Sequence, residues 1–168
     1  MNPRVRHLTH AAIIAALYTV LTHLQNLIFP GSATWAIQCR LSEALCVLAF
    51  FTPAAIPGLS VGCMLFNLTF SAALPPDWIL GTLATFLAAS AMRQLRNVRC
   101  FSLPLAGLLR PSLFNALLVG WELTVYFGGG FFINALYVAL GELIVLLIPG
   151  AALDWLIRRR HLDRRLFG

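Results

Sequence analysis

The chain alternates long apolar runs with short breaks that are rich in proline, glycine or arginine. A helix needs roughly 20 mostly apolar residues to cross about 30 Å of hydrocarbon. Breaks at Pro30-Gly31, around Pro53–Pro57 and at Gly128–Gly130 separate the runs, because proline and consecutive glycines disfavour helix. The pattern predicts six transmembrane helices, at about residues 7–29, 41–53, 56–74, 78–92, 105–127 and 131–157, the last bent near Pro149-Gly150.

The composition fits the same fold class. Hydrophobic residues make up 60% of the 168 residues and charged residues only 11%, and the mean hydropathy is +0.83. Because soluble domains carry roughly 25% charged residues, we expect an all-α integral membrane protein. Residues 1–168 are predicted to form a single transmembrane domain.

The positions of the charges predict an orientation. All twelve basic residues are arginine, and most lie before the first run, after the fourth and after the last. Positive residues concentrate on the cytoplasmic side, so an even number of spans with both termini inside fits best. The net charge of +6 is therefore explained by contact with the lipid bilayer, and no nucleic-acid partner is expected.

Polar side chains inside the apolar runs predict a binding pocket. Glu142 and Glu122 lie within the sixth and fifth runs, and Glu43 opens the second. A carboxyl at the centre of a span costs roughly 3 kcal/mol or more on insertion scales, so it normally faces a protein interior. Asn115 and Glu122 are seven residues apart and share one helix face. The candidate pocket residues are Gln38, Arg40, Glu43, Asn67, Trp78, Asn115, Trp121, Glu122, Asn134, Tyr137 and Glu142.

Simpler roles compete with ligand binding for several of these residues. Intramembrane asparagines often join two helices, and tryptophans near span ends often mark the membrane interface. Arg40 and Glu43 are three residues apart, so they are predicted to pair at the rim of the pocket. The structural alternative is weakest for Glu142, because its helix carries no basic residue at that depth.

Neither enzyme chemistry nor a metal site is predicted. The phosphate-binding glycine loop, the zinc-protease helix and the nucleophile elbow are all absent from the sequence. The four cysteines include no C-x-x-C pair. We therefore expect a protein that is not an enzyme.

Small residues at four-residue spacing mark the first predicted helix. Ala11 and Ala15 share one face, and Ala12 and Ala16 share the neighbouring one. Such faces let another helix approach closely. The sequence leaves open whether that helix belongs to this chain or to a partner subunit.

Several segments together resemble a known family in their order and spacing. They are "AAIIAALYTVLT", "IQCRLSEAL", "FFTPAAIPGLSVGCMLFNL", "DWILGTLATFLAA", "FNALLVGWEL" and "YVALGELIVL". The chain resembles the QueT-type family of proposed queuosine-precursor transporters, among the substrate-binding S components of energy-coupling factor (ECF) importers. The resemblance covers nearly the whole chain, and "IQCRLSEAL" and "ALGE" carry it most specifically.

The resemblance implies an S-component-like bundle in the plasma membrane of a prokaryote. Its partners would be a membrane scaffold subunit and two ATPase subunits that bind ATP, so this chain would need no cofactor. The implied docking surface is Ala11 and Ala15, with Ala12 and Ala16 beside them. The implied cargo is a 7-deazaguanine such as preQ0, preQ1 or queuine. Glu142 or Glu122 would read the guanine edge.

Two other functions remain possible at this point. The same architecture could carry another vitamin-like heterocycle, or the chain could be a structural or assembly protein without a ligand. The sequence does not decide which carboxylate contacts a ligand.

Overall fold

The computed structural model describes residues 2–32, 39–70, 75–99 and 104–167, and every element in these ranges is helical. Seven α-helices follow one another, interrupted by two 3-10 segments and one π-helical turn. They are α1 (Pro3–Ile28), a 3-10 helix (Leu41–Phe50), α2 (Ala55–Thr69), a 3-10 turn (Pro75–Trp78), α3 (Leu80–Gln94), α4 (Leu105–Phe127), α5 (Phe131–Val145), the π turn (Leu146–Gly150), α6 (Ala151–Arg159) and α7 (Leu162–Phe167).

A helical element lies at each of the six predicted positions, although some of them differ in length from the expectation. The second is a ten-residue 3-10 helix and α2 ends at Thr69, so both are shorter than predicted. The predicted bend near Pro149 is a π turn that joins α5 to α6, a common local response to a proline inside a helix. The predicted glycine turn is also present, because Gly128 and Gly129 adopt positive φ angles of 76° and 82°.

In the part of the chain that the structure describes, two continuous helical segments are long and apolar enough to cross a membrane. They are Pro3–Ile28 and the segment Phe131–Arg159 that runs through the π turn. The helices at 41–50 and 55–69 are apolar but shorter than a typical span. The count of six spans and the orientation with both termini inside stay predictions.

The 3-10 helix Leu41–Phe50 occupies the centre of the bundle. It contacts α1 to α6 and the π turn, and its side chains are buried on nearly every side. This accounts for its uniformly apolar sequence after Glu43, because a helix surrounded by protein needs no polar face. It also brings Arg40 and Glu43 into the interior.

Helices α1 and α2 pack closely through small residues, which is one of the two alternatives that the sequence left open for the alanine face. Ala11 and Ala15 are buried against α2. A Cβ atom added to Gly58 would lie 2.8 Å from the Ala11 carbonyl oxygen, and one added to Gly62 would lie 2.9 Å from that of Ala15. The face of Ala11 and Ala15 is therefore filled by this chain's own α2 and cannot also receive a partner helix. Ala12 lies on the exposed side of α1, as does Ala16.

Candidate functional site

Four of the six acidic residues of the chain are buried within one polar region of the bundle. We call this region the polar cluster; its members come from the start of the 3-10 helix, the end of α2, the 3-10 turn before α3 and the inner faces of α4 and α5. They are Arg40, Glu43, Asn67, Asp77, Asn115, Glu122 and Glu142. Buried charged groups are rare unless they are paired or functional, so the cluster is the first candidate for a site.

One part of the cluster joins α4 to α5. Asn115 Nδ2 donates a 2.9 Å hydrogen bond to Glu142 Oε1. The other carboxylate oxygen, Oε2, is buried without a hydrogen-bond partner among the described residues. Both residues were predicted from the sequence to face a pocket, and the structure brings them together.

A second part lies where the 3-10 helix begins. Glu43 accepts hydrogen bonds from the Tyr18 hydroxyl and from Cys46 Sγ at 3.1 Å. The sequence predicted Arg40 as the partner of Glu43, whereas the structure gives Glu43 these two groups. The Arg40 guanidinium instead lies 3.9 Å from Cys63 Sγ and above the Phe66 ring, 5.6 Å from its centroid.

A third part gathers around the start of α3. Asn67 Nδ2 donates a 2.8 Å hydrogen bond to the Asp77 carbonyl oxygen. Gly81 leaves room beside these groups, because an added Cβ would lie 3.0 Å from Asn67 Nδ2 and 3.7 Å from Asp77 Oδ1. The Glu122 carboxyl lies beside the Asp77 carboxyl and is 1% exposed.

This third part is rich in unused acceptor atoms. Asn67 Oδ1, Asp77 Oδ1 and both carboxylate oxygens of Glu122 are buried without a hydrogen-bond partner among the described residues. A buried polar group left unsatisfied costs about 1–3 kcal/mol. The Asp77 and Glu122 carboxyls also interact with each other, so a shared proton would satisfy part of this set.

The electrostatic balance of the cluster is one guanidinium to four carboxyls. Arg40 is close enough to influence Asp77 and Glu43, as well as Glu122 and Glu142. Desolvating an uncompensated charge costs several kcal/mol even after the protein relaxes. A cation or a group of N–H donors beside these carboxyls would lower that cost.

Several residues predicted to bind ligand lie elsewhere. Trp78, Trp121 and Tyr137 are 43%, 53% and 40% exposed, which is typical of aromatic residues at a membrane interface. Asn134 Nδ2 donates hydrogen bonds to Thr124 Oγ1 at 3.0 Å and to the Gly128 carbonyl oxygen. Asn134 therefore stabilises the turn between α4 and α5. Gln38 lies outside the described residues.

The sequence prediction missed three residues that belong with the cluster. Asp77 was assigned to the turn before α3, yet it is buried beside Glu122. Tyr18 and Phe66 supply buried aromatic rings beside Glu43 and Arg40. Tyr18 lies four residues after the buried Ile14 and seven after the buried Ala11, and this helical spacing could have placed the tyrosine on the interior face of α1.

A separate cavity of about 420 Å³ lies at the other end of α3 and does not belong to the cluster. Its lining includes Arg93, Arg96 and Arg158. Arg158 forms a 2.9 Å ion pair with the buried Asp154, and Arg93 donates to the Phe50 carbonyl oxygen at 3.0 Å. Arg93 and Arg158 thus stabilise the end of the bundle that the sequence predicts to be cytoplasmic.

The fold is an all-helical bundle with two segments long and apolar enough to cross a membrane and a buried polar cluster in its interior. Residues 8–159 match the QueT transporter family, and the chain belongs to that family. It is accordingly a transporter component. Comparisons with curated proteins and with solved structures gave no significant match.

Proposed function

We propose that the chain is the substrate-binding subunit of an energy-coupling factor importer and that its cargo is a queuosine precursor of the 7-deazaguanine type. The membership in the QueT transporter family supports a role in uptake. The observation that carries the proposal for the cargo is the Asn115–Glu142 pair, which leaves a buried carboxylate oxygen available.

The chemistry of a 7-deazaguanine matches this pair. The guanine edge presents a ring N–H beside an exocyclic amine, and a carboxylate can accept from both because each of its oxygens has two lone pairs. Glu142 is the proposed reader of that edge. Asn115 holds the carboxylate in place through the 2.9 Å hydrogen bond, so the bound base would meet an oriented acceptor.

The proposed assembly follows the division of labour of such importers. A scaffold membrane subunit and two ATPase subunits would supply the ATP-driven step, and this chain would contribute six spans with both termini in the cytoplasm of a prokaryote. Ala12 and Ala16 remain the proposed docking residues, because they lie on the exposed side of α1. Close approach of a scaffold helix needs small side chains there.

A binding titration tests the cargo. The purified protein is titrated with preQ0, preQ1, queuine and guanine, and quenching of tryptophan fluorescence is measured. We expect saturable binding of at least one 7-deazaguanine, and weakened binding in a folded Glu142→Gln variant. Absence of binding by all four compounds would refute the proposed cargo and would favour a different heterocycle.

A control separates a ligand site from a structural one. Asp163→Asn changes a carboxyl in α7 that lines the cavity at the other end of α3. If Glu142→Gln and Asp163→Asn bind alike and differ only in stability, the Asn115–Glu142 pair has a structural role.

A further inference from the structure

We propose that the cavity lined by Arg93, Arg96 and Arg158 is a binding site for a phosphate group, of the kind that an anionic phospholipid carries in its headgroup. We call it the basic cavity. It is separate from the polar cluster, and the proposal does not depend on which cargo the protein carries.

Four helical elements come together at the basic cavity. Phe50 ends the central 3-10 helix, Arg93 lies in the last turn of α3, and Arg158 lies in the last turn of α6. Asp163 and Phe167 line the cavity from α7. Its volume of about 420 Å³ falls within the range of roughly 300–1,000 Å³ that is typical of small-molecule sites. The cavity therefore has room for a headgroup.

The lining of the basic cavity is positively charged. Three guanidinium groups stand against the carboxyl of Asp163 among the described lining residues. The buried Asp154 nearby does not remove this excess, because two arginines share it. Arg158 Nε lies 2.9 Å from Asp154 Oδ1, and Arg99 Nη2 lies 3.7 Å from Oδ2. A bound anion would reduce the repulsion between the lining arginines.

Two of the three arginines are held in place by the protein. Arg93 Nη1 donates a 3.0 Å hydrogen bond to the Phe50 carbonyl oxygen. Arg158 donates to Asp154 through Nε, and its guanidinium lies above the Phe51 ring, 4.6 Å from the centroid. Within the described part of the chain, these hydrogen bonds use one nitrogen of each guanidinium, whereas the group has five N–H donors in all. Both arginines are therefore oriented and keep donors for a ligand.

The third arginine has no such structural role. Arg96 is exposed and lines the basic cavity, and its side chain forms no hydrogen bond or ion pair with the residues that the structure describes. Asn97 beside it adds an amide to the lining. Because a guanidinium can donate two parallel hydrogen bonds to a phosphate, Arg96 is suited to hold the anion.

The apolar part of the lining favours a lipid as the source of the phosphate. Phe50, Phe51 and Phe167 line the same cavity as the arginines. A phospholipid joins its phosphate to acyl chains and can contact both kinds of surface, whereas free phosphate contacts only the arginines. Basic pockets between membrane helices on the cytoplasmic side are known to bind anionic headgroups.

The test measures ligand binding to the full chain by native mass spectrometry in a neutral detergent. Phosphatidylglycerol, phosphatidylcholine with the same acyl chains, and soluble glycerol 3-phosphate are titrated separately. We expect the first bound lipid to be phosphatidylglycerol, with an affinity roughly fivefold or more above that of phosphatidylcholine, because the choline cation adds a positive charge beside the arginines.

Matched variants locate the binding. Arg96→Gln should weaken phosphatidylglycerol binding by roughly fivefold, the effect of one basic residue near a lipid surface. Arg160→Gln removes the same charge from an exposed residue at the same end that does not line the basic cavity, and the affinity should change by less than about twofold. Asp163→Asn removes a carboxyl from the lining and should strengthen binding by roughly two- to fivefold. Melting temperatures check that each variant is folded.

The outcomes separate the site and the source of its phosphate. Phosphatidylglycerol binding that is weakened by Arg96→Gln but not by Arg160→Gln supports a lipid phosphate site. Binding of glycerol 3-phosphate alone, with the same dependence on Arg96, supports the phosphate site with a soluble source. Equal weakening by both arginine variants would overturn the proposal, since diffuse charge would then explain the binding. A protein that binds both lipids alike and does not bind glycerol 3-phosphate would overturn it as well.

Discussion

Replacing Gly62 by alanine should destabilise the bundle by forcing α1 away from α2. The added Cβ would lie 2.8 Å from Tyr18 Cβ and 2.9 Å from the Ala15 carbonyl oxygen. The second contact involves backbone, so a side-chain rotation cannot relieve it. Overpacking of a close contact costs about 1–3 kcal/mol, and helices in a membrane depend on such packing for association.

The assay is thermal unfolding of the purified protein in detergent. A loss of about 1–3 kcal/mol corresponds to a fall in Tm of roughly 2–12 °C for a chain of this size. Gly130→Ala is the matched control, because its Cβ would meet nothing closer than 3.9 Å and its φ of −84° suits alanine. That variant should keep or slightly raise the wild-type Tm.

One result would refute the packing of α1 against α2. If Gly62→Ala melts like the wild type but no longer co-purifies with a scaffold subunit, the face of Ala11 and Ala15 receives a partner. The internal assignment of that face would then be wrong.

Three further predictions address other parts of the account. Tyr18→Phe removes a donor to the buried Glu43 carboxyl, so the free energy of unfolding should fall by about 1–3 kcal/mol; an unchanged Tm would contradict the hydrogen bond. Ala12→Trp should abolish co-purification with the scaffold subunit while ligand binding persists, and loss of ligand binding instead would mean that this face packs internally. Asn134→Ala removes the hydrogen bond to Thr124 and should lower the free energy of unfolding by about 1 kcal/mol without changing ligand affinity. Reduced affinity in a folded variant would show that Asn134 contributes to ligand binding.

The extent of the helices was largely predictable because it depends on local signals. Proline and glycine breaks end the apolar runs, and the predicted boundaries of α4 coincide with the observed Leu105–Phe127. The short 3-10 helix was less predictable, since its form depends on the helices that surround it. Its apolar sequence alone does not distinguish a membrane span from a segment buried inside a bundle.

The burial of Glu122 and Glu142 was predictable because a carboxyl within an apolar run is costly wherever it faces lipid. Glu122 and Glu142 were found this way, and helical spacing correctly put Asn115 on the inner side. Asp77 was missed since aspartate is common in turns, and only the tertiary fold brings it beside Glu122.

The orientation of the aromatic residues and of the alanine faces could not be obtained from spacing. Trp78 and Trp121 were predicted to line the pocket, but both are exposed, and their exposure depends on how each helix is rotated within the bundle. Ala11 and Ala15 form a small-residue face suited either to a partner or to α2. Gly58 and Gly62 make α2 the neighbour of this face, because their lack of side chains permits the close approach of α2 to α1.

The most direct test of the central claim is native mass spectrometry of the protein purified from cells grown with a 7-deazaguanine source. The account predicts that the wild-type protein and Asp163→Asn both carry one bound 7-deazaguanine, and that a folded Glu142→Gln variant has lost it. Wild-type protein that carries no such molecule, or a Glu142→Gln variant that retains it fully, would contradict the assignment of the polar cluster as the cargo site.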